Sequence, residues 1–157
     1  MRLEYAKVLP EAVRAMRGLE TAVESSALEL RLLELVRLRA SQLNGCAHCV
    51  DMHTKDARAI GEDEQRLHLV AVWREAPFFA PRERAALAWT EELTLLPSAG
   101  ASDEAYEAMA KEFDPAEQVA LTLAIVAING WNRLAVGFRQ PVGSYVSSRR
   151  PGPAVVT

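Results

Sequence analysis

The sequence has few of the features that mark β-sheets, secretion or membrane insertion. β-Branched residues are sparse, and no stretch alternates convincingly between apolar and polar positions, so no sheet is expected. The longest largely apolar run, Val119–Ile128, is about half of the roughly 20 residues that a membrane-spanning helix needs. The N-terminal segment MRLEYAKVLPEAVRAMRGLE carries a charge every few positions and lacks the apolar core of a signal peptide. These absences predict a cytoplasmic protein without membrane contact.

A strong charge of one sign is also missing. The formal net charge is −3, which gives no basic surface for nucleic acid or anionic lipid. The arginines of residues 31–39 lie among leucines and glutamates, and we expect them to form a solvated helix face. With 157 residues, of which 50% are hydrophobic, the chain is long enough to bury one core and predicts one domain.

The remaining pattern is helical almost throughout, and it predicts an all-α domain of six or seven helices. Residues 1–145 are expected to form this domain, and residues 146–157 a tail that is flexible or docks on a neighbour. The last long helix is apolar on most of its circumference, which predicts a homo-oligomer that covers it. The predicted helices span residues 10–24, 26–43, 47–61, 63–75, 81–95, 102–109 and 115–138, with a loop at 97–100.

Local signals set several of these boundaries. The residues from Ser26 to Glu29 have the spacing of a capping box, and Asp114 followed by Pro115 is a strong helix start. Asn44 and Gly45 stop the second predicted helix, because glycine tolerates the left-handed conformation that closes a helix.

Both cysteines of the chain, and two of its three histidines, lie in the segment GCAHCVDMH at residues 45–53. The spacing of Cys46 and Cys49 allows the sulfurs to cycle between dithiol and disulfide at the start of a helix. Unpaired N–H groups at a helix N-terminus favour thiolate, and in such motifs the thiol pKa can fall from about 8.5 to roughly 3.5–7.5. In a reducing compartment such a pair is more typical of catalysis or metal binding than of a structural crosslink.

The helix end and the position of His53 favour different sulfurs as the nucleophile. The helix end favours Cys46, whereas His53, one turn after Cys49 on the same face, can take the proton from Cys49. A positioned base acts directly on the transferred proton, while the helix dipole supplies at most about 2 kcal/mol. We therefore expect Cys49 to attack and Cys46 to resolve, with His48 as a tuning or gating group.

Glu34 is an acidic residue on an otherwise apolar helix face, one turn from both Leu30 and Leu38. If the second and third predicted helices form an antiparallel hairpin, Glu34 lies roughly 13 Å down one helix and His53 roughly 9 Å down the other. Their side chains can then meet directly or through one water. Such a contact predicts a proton relay from Cys49 through His53 to Glu34.

The spacing of these residues resembles that of a known family. Glu34, eleven residues, Cys46-Ala-His48-Cys49, three residues and His53 together are similar to the active-site pattern of the alkylhydroperoxidase D (AhpD) family, within the carboxymuconolactone decarboxylase superfamily. A further segment, AINGWNRLAVGFR at residues 127–139, is similar to the late helix of a peroxidase-related branch.

The resemblance implies an all-helical fold assembled into trimers or hexamers, and a cysteine peroxidase that needs no metal or organic cofactor. It implies that Cys49 attacks a hydroperoxide, that Cys46 resolves it, and that a dithiol reductant, lipoyl- or thioredoxin-like, recycles the pair. Glu34 and His53 correspond to the family's proton relay, and His48 to its supporting histidine.

Other interpretations of the cysteine cluster stay open. The pair can be two buried thiols without chemistry, a disulfide reductase centre, or the redox sensor of a structural oligomer. Zinc is a further possibility, with Cys46, Cys49, His48 and His53 as ligands, but tetrahedral sites usually draw two ligands from each of two segments.

Several other side chains are expected to be structural. We predict that Asp51 and Asp56 are helix-surface charges, that Trp131 packs in a subunit interface, and that Arg133 pairs with an acidic partner. Three further aromatic residues are expected in the core or along an access channel: Phe78, Phe79 and Trp89.

Overall fold

The computed structural model describes residues 1–150, which are helical without any strand, as predicted. A 3₁₀ turn, Val70–Val72, follows the fifth helix. The helices are α1 (Tyr5–Val8), α2 (Pro10–Glu24), α3 (Leu30–Leu43), α4 (Ala47–Ala59), α5 (Glu64–Leu69), α6 (Pro81–Thr94), α7 (Leu96–Ala99), α8 (Asp103–Glu112) and α9 (Pro115–Gly137).

Local capping explains the boundaries that the sequence predicts well. The carboxylate of Asp114 accepts the backbone N–H of Glu117 at 2.9 Å, while the Glu117 side chain accepts the N–H of Asp114 at 3.0 Å. Gly45 has φ +64°, so the left-handed turn predicted between α3 and α4 is present. Cys46 follows it directly as the N-cap of α4.

Several boundaries differ from the prediction, and three of them have a clear local description. Helix α3 begins at Leu30 because Ser26 does not cap it: its hydroxyl donates to the Val23 carbonyl at 2.6 Å and accepts the Leu28 N–H at 3.3 Å, which closes a turn instead. The helix predicted for residues 63–75 tightens into the 3₁₀ turn after Leu69. The segment predicted as a loop at 97–100 is part of the short helix α7.

Helix α3 lies at the centre of the molecule, with α4, α6 and α9 packed around it. Leu33 and Val36 join a core formed with α6, α8 and α9, whereas Leu35 and Leu38 face a second core beneath α4 and the 3₁₀ turn. Because α3 is buried on more than one side, its polar residues Glu34, Arg37 and Ser41 are buried as well. Of the three aromatic residues expected in the core or a channel, Phe79 and Trp89 are buried in these two cores and Phe78 is exposed.

Helix α9 is long and apolar enough, by length and composition alone, to cross a membrane, although the core helix of a globular protein passes the same test. It packs against α2, α3, α4, α6 and α8. The opposite face leaves Val119, Leu123, Val126 and Val136 exposed in the single chain.

The segment that follows α9 runs back along α4 as an extended strap, which we define as residues 141–150. Lys55 on α4 donates to the carbonyls of Gly143 and Tyr145, and Asp51 accepts the N–H of Gly143. Tyr145, Ser147 and Arg149 are half-buried. The described part of the tail predicted at 146–157 therefore contacts the domain, and residues 151–157 lie outside the described residues.

Candidate active site

Cys46 and Cys49 form a disulfide at the first turn of α4, with their Cα atoms 5.3 Å apart. Both are nearly inaccessible, at 1% and 2% exposure, and Ala135 of α9 packs against them. The Sγ of Cys46 occupies the N-cap position and accepts the backbone N–H of Cys49 at 3.3 Å. When the pair is reduced, the helix terminus would therefore favour a thiolate on Cys46.

Glu34 and His53 meet between α3 and α4, as the hairpin predicts. Nδ1 of His53 lies 2.8 Å from Oε2 of Glu34, and both side chains are buried. Because an ionised carboxylate can only accept, Nδ1 carries a hydrogen, and in the neutral ring Nε2 is therefore an acceptor. That Nε2 is buried and has no hydrogen-bond partner among the described residues.

The second oxygen of Glu34 is held by arginine. Nη1 of Arg37 lies 2.8 Å from Oε1 of Glu34 and 2.9 Å from Glu24, and Nη2 lies 3.3 Å from Glu20. Arg37 is 1% exposed, so the expectation that the arginines of residues 31–39 form a solvated face is wrong at this position. The reason is that α3 is covered by α2 and α4 on this side.

Opposing effects act on the ionisation of Glu34. Burial by itself raises the pKa of this carboxyl, but the hydrogen bond from His53 and the charges of neighbouring groups, Arg37 and Arg149 among them, lower it more, so the net pKa lies below its ordinary value. Glu34 is therefore ionised over the range in which thiols react.

Asp56, one turn after His53, is buried rather than a surface charge as the sequence suggested. Its Oδ1 accepts the Tyr145 hydroxyl at 2.8 Å and the Ser147 hydroxyl at 2.5 Å. Burial, followed by the hydrogen bond to Asp56 and its charge, raises the pKa of Tyr145 to about 12. Asp51 is half-buried and forms an ion pair with Lys55 at 2.9 Å.

His48 stands apart from the Glu34–His53 pair. Its Nδ1 donates to the carbonyl of Pro141 at 2.7 Å, so the ring is tied to the start of the strap. The same ring lines the cavity beside Cys49.

A cavity of about 440 Å³ opens above the disulfide between α2, α4 and α9. Trp131 forms part of its wall, although the sequence suggested a subunit interface for this residue. The side chains around it are apolar toward α9 and charged toward α2, so it offers both apolar and polar contacts. The lining residues are Tyr5, Arg17, Glu20, Thr21, Glu24, His48, Cys49, Met52, His53, Trp131, Ala135 and Gln140.

Amides fix the turn between α3 and α4 to the last helix. Nδ2 of Asn44 donates to Asn132 at 2.8 Å and to Asn129 at 3.0 Å, and Asn132 donates to the hydroxyl of Ser41. Arg133 donates to the carbonyl and side chain of Asn129, rather than to an acidic group within this chain. These contacts hold the N-terminus of α4, and with it both cysteines, in place.

The chemistry of the donor atoms does not favour a metal. Ligand atoms of Glu34, His53 and Asp56 lie within 4.8 Å of one another. The two carboxylates, however, already accept from Arg37, His53, Tyr145 and Ser147, and a divalent ion would face the buried guanidinium of Arg37. The zinc set considered from the sequence would need both thiols reduced, whereas Cys46 and Cys49 are bonded to each other in this structure.

Sequence reasoning missed Arg37, Asp56 and Arg149 as parts of this site. Spacing could have indicated two of them, because Arg37 is three residues after Glu34 and Asp56 three residues after His53, each on the same helix face. Arg149 gives no such signal, since it lies more than a hundred residues from Glu24 and Glu34 in sequence.

The sequence profile of the carboxymuconolactone decarboxylase family matches residues 9–92, which contain all five predicted site residues. The chain belongs to this family. The chain is similar to the uncharacterised protein YdfG of Bacillus subtilis, with 41% identity over 135 residues. The similarity covers 86% of this chain and 92% of YdfG.

A solved structure of high sequence identity shows that this protein is AhpD-like. A protein of unknown function from Agrobacterium tumefaciens, described as a candidate antioxidant defence protein AhpD, is 48% identical and superposes with a TM-score of 0.88. The similarity covers 92% of this chain and 99% of that one.

The debrominase Bmp8 has the same fold at much lower identity. It is 17% identical, with a TM-score of 0.78 over 86% of this chain and 73% of its own. At that identity the likeness concerns the fold alone, and the same scaffold serves more than one reaction.

Proposed function

We propose that this protein is a thiol-dependent hydroperoxide reductase in which Cys49 attacks, Cys46 resolves, and Glu34 and His53 move the proton. The bare Nε2 of His53 carries the proposal, because it is buried and has no partner among the described residues, and the His53 side chain lines the same cavity as Cys49. A group with these properties accepts a thiol proton and later donates it to a leaving oxygen.

The proposed cycle balances in three steps. Nε2 of His53 takes the proton of reduced Cys49, and the thiolate attacks the terminal oxygen of ROOH. The O–O bond breaks, Cys49 becomes a sulfenic acid, and the departing RO⁻ takes the proton from His53 to leave as ROH. Cys46 then displaces water from the sulfenic acid to form the disulfide, and an external dithiol reduces that disulfide while its own two sulfurs become oxidised.

The burial of both sulfurs supports a small oxidant and a slender reductant. Cys46 and Cys49 are 1% and 2% exposed, and Cys49 lines the cavity, which is large enough for a hydroperoxide. In-line attack also requires a donor sulfur to approach along the S–S axis. A dithiol on a thin flexible arm, such as a lipoyl group, therefore fits better than the broad surface of a thioredoxin-like protein.

A disulfide reductase is the second candidate, because the Cys46–Cys49 pair would cycle between dithiol and disulfide in that reaction as well. Its substrate would have to bring a sulfur into the same cavity, which disfavours protein disulfides. Competition between a small disulfide and a hydroperoxide for the reduced enzyme separates the two functions.

The decisive experiment is a thiol titration before and after one equivalent of hydroperoxide. Wild type should lose two thiols and form the Cys46–Cys49 disulfide. Cys46→Ser should accumulate a sulfenic acid at Cys49, detected with a dimedone probe, whereas Cys49→Ser should hardly react. Fast peroxide consumption by Cys49→Ser would reverse the assignment of attacker and resolver, and no consumption by wild type would exclude the function.

We also propose that the chain forms a homo-oligomer, a trimer or hexamer, in the cytoplasm. The exposed apolar residues Val119, Leu123 and Val126 of α9 support this proposal, because such a face is usually covered. Light scattering on wild type and on Val126→Lys tests it: the variant should have the smaller mass, and a monomeric wild type would contradict the proposal.

A further inference from the structure

The strap of residues 141–150 reaches the proton relay at its far end. It begins at the contact of Pro141 with His48, passes Lys55 and Asp56 on α4, and ends at Arg149 beside Glu24 and Glu34. Its contacts therefore follow α4 from His48 to Asp56, along the turns that carry Cys49 and His53. A covering role alone does not require a guanidinium beside a buried carboxylate.

Arg149 completes the set of charges around Glu34. Its Nη1 lies 3.0 Å from Glu24, its Nη2 also contacts Glu24, and the same Nη2 lies 3.5 Å from Oε1 of Glu34. The charged and titratable groups around Glu34 are Glu20 and Glu24 from α2, Arg37 from α3, His53 and Asp56 from α4, and Tyr145 and Arg149 from the strap.

Without Arg149, the buried guanidinium of Arg37 alone would balance the negative charge of three carboxylates. Arg37 contacts Glu20, Glu24 and Glu34, and Glu24 also forms an ion pair with Arg149. If Arg149 is removed, Glu24 competes more strongly for Arg37, and Glu34 is left in a more negative, buried environment that favours its protonated form. A protonated Glu34 can donate to Nδ1 of His53, which moves the ring hydrogen to Nε2.

We propose that Arg149 is a positioning residue: by pairing with Glu24 and Glu34 it keeps Glu34 as an acceptor, and thereby keeps Nε2 of His53 free to take the proton of Cys49. This role rests on the proposed function, and it adds a strap residue to the groups that control the protonation of Glu34 and His53. Ser147 and Tyr145, both bound to Asp56, hold Arg149 at its place, and the Arg149 N–H donates to the Ser147 hydroxyl at 3.1 Å.

The test measures Cys49 itself, so that it does not depend on peroxide turnover. In a Cys46→Ser background, where serine retains N-cap function, the rate of Cys49 alkylation by iodoacetamide is followed from pH 5 to pH 9. Arg149→Gln should move the acid limb of the profile to higher pH and slow alkylation at pH 6 by about threefold to tenfold, since one pKa unit is tenfold. The rates should converge at high pH.

Three further variants separate positioning from folding. Arg149→Lys should recover most of the loss, and Glu24→Gln, which frees Arg149 for Glu34, should move the acid limb to lower pH. The matched control is Arg150→Gln, because Arg150 is the exposed neighbour. Imidazole ¹⁵N shifts of His53 should show more hydrogen on Nε2 in Arg149→Gln and no change in Arg150→Gln.

The outcomes distinguish the two proposals. If Arg149→Gln matches Arg150→Gln in both the pH profile and the imidazole shifts, the role of Arg149 is refuted. A uniform slowing at all pH values, with unchanged imidazole shifts, also refutes it and indicates a structural contact. If the shifts appear but wild type consumes no peroxide, the positioning role holds and the peroxidase function fails.

Discussion

Replacing Glu34 by glutamine tests the relay most directly, because it keeps the shape of the side chain and removes its charge. In the native chain Oε1 accepts from Arg37 at 2.8 Å and Oε2 accepts from His53 at 2.8 Å. A glutamine has one oxygen and one NH₂ group, so it can accept from only one of these partners. The buried cation of Arg37 attracts the oxygen, and the NH₂ group then faces Nδ1 of His53.

The consequence is a change of tautomer at His53. With an NH₂ donor at Nδ1, the ring hydrogen moves to Nε2, and Nε2 can no longer take a proton from Cys49. General acid–base catalysis contributes about 10²- to 10⁴-fold to a rate, and we expect Glu34→Gln to lose a factor in that range. The variant should also be less stable, by up to about 3–5 kcal/mol, because one partner of a buried ion pair is removed.

Single-turnover stopped flow with reduced enzyme and a hydroperoxide measures the chemical step, and urea unfolding measures the loss of stability. Glu104→Gln serves as the control, since Glu104 is exposed on α8. If folded Glu34→Gln retained a rate within threefold of wild type at pH 7, the carboxylate would not set the state of His53, and the relay would be wrong.

Three other changes have equally definite outcomes. Gly45→Ala should destabilise the chain by roughly 1–2 kcal/mol in urea unfolding, because φ is +64° at this turn; an unchanged midpoint would contradict the strain. Tyr145→Phe removes the 2.8 Å hydrogen bond to Asp56 and should cost about 1–3 kcal/mol by the same assay, while equal stability would mean that the strap is not anchored there. Stability should fall as the pH drops below about 4.5, because the pKa of Glu34 is lower in the folded chain and the unfolded chain therefore binds the proton first. In acid unfolding curves, Glu34→Gln should show a shallower decline of stability than wild type. An equal slope would contradict the assignment of this effect to Glu34.

The helical fold follows from short-range signals, and the sequence therefore predicts it well. Pro10, Asn44-Gly45 and Asp114-Pro115 act on the backbone within one turn, and the apolar periodicity between them depends only on neighbouring residues. Where a local signal had two possible uses, as at Ser26, the prediction of the helix start was wrong by four residues.

The centre of the candidate site was predictable for the same reason. Cys46, Cys49 and His53 are related by spacing along one helix, and Glu34 was placed near them by a short hairpin whose turn the sequence specifies. Helix geometry alone fixes those distances to within the reach of a side chain.

What the tertiary structure decided is which charges lose contact with water. Arg37 and Asp56 have the sequence context of surface residues, and they are buried only because α2 and the strap cover α3 and α4. Arg149 reaches Glu34, and Trp131 reaches the cavity, through packing between segments far apart in the chain. The sequence alone thus determines the helices and the reactive pair, since backbone and spacing are local properties. The charge environment and the access of that pair depend on long-range burial, which no short segment encodes.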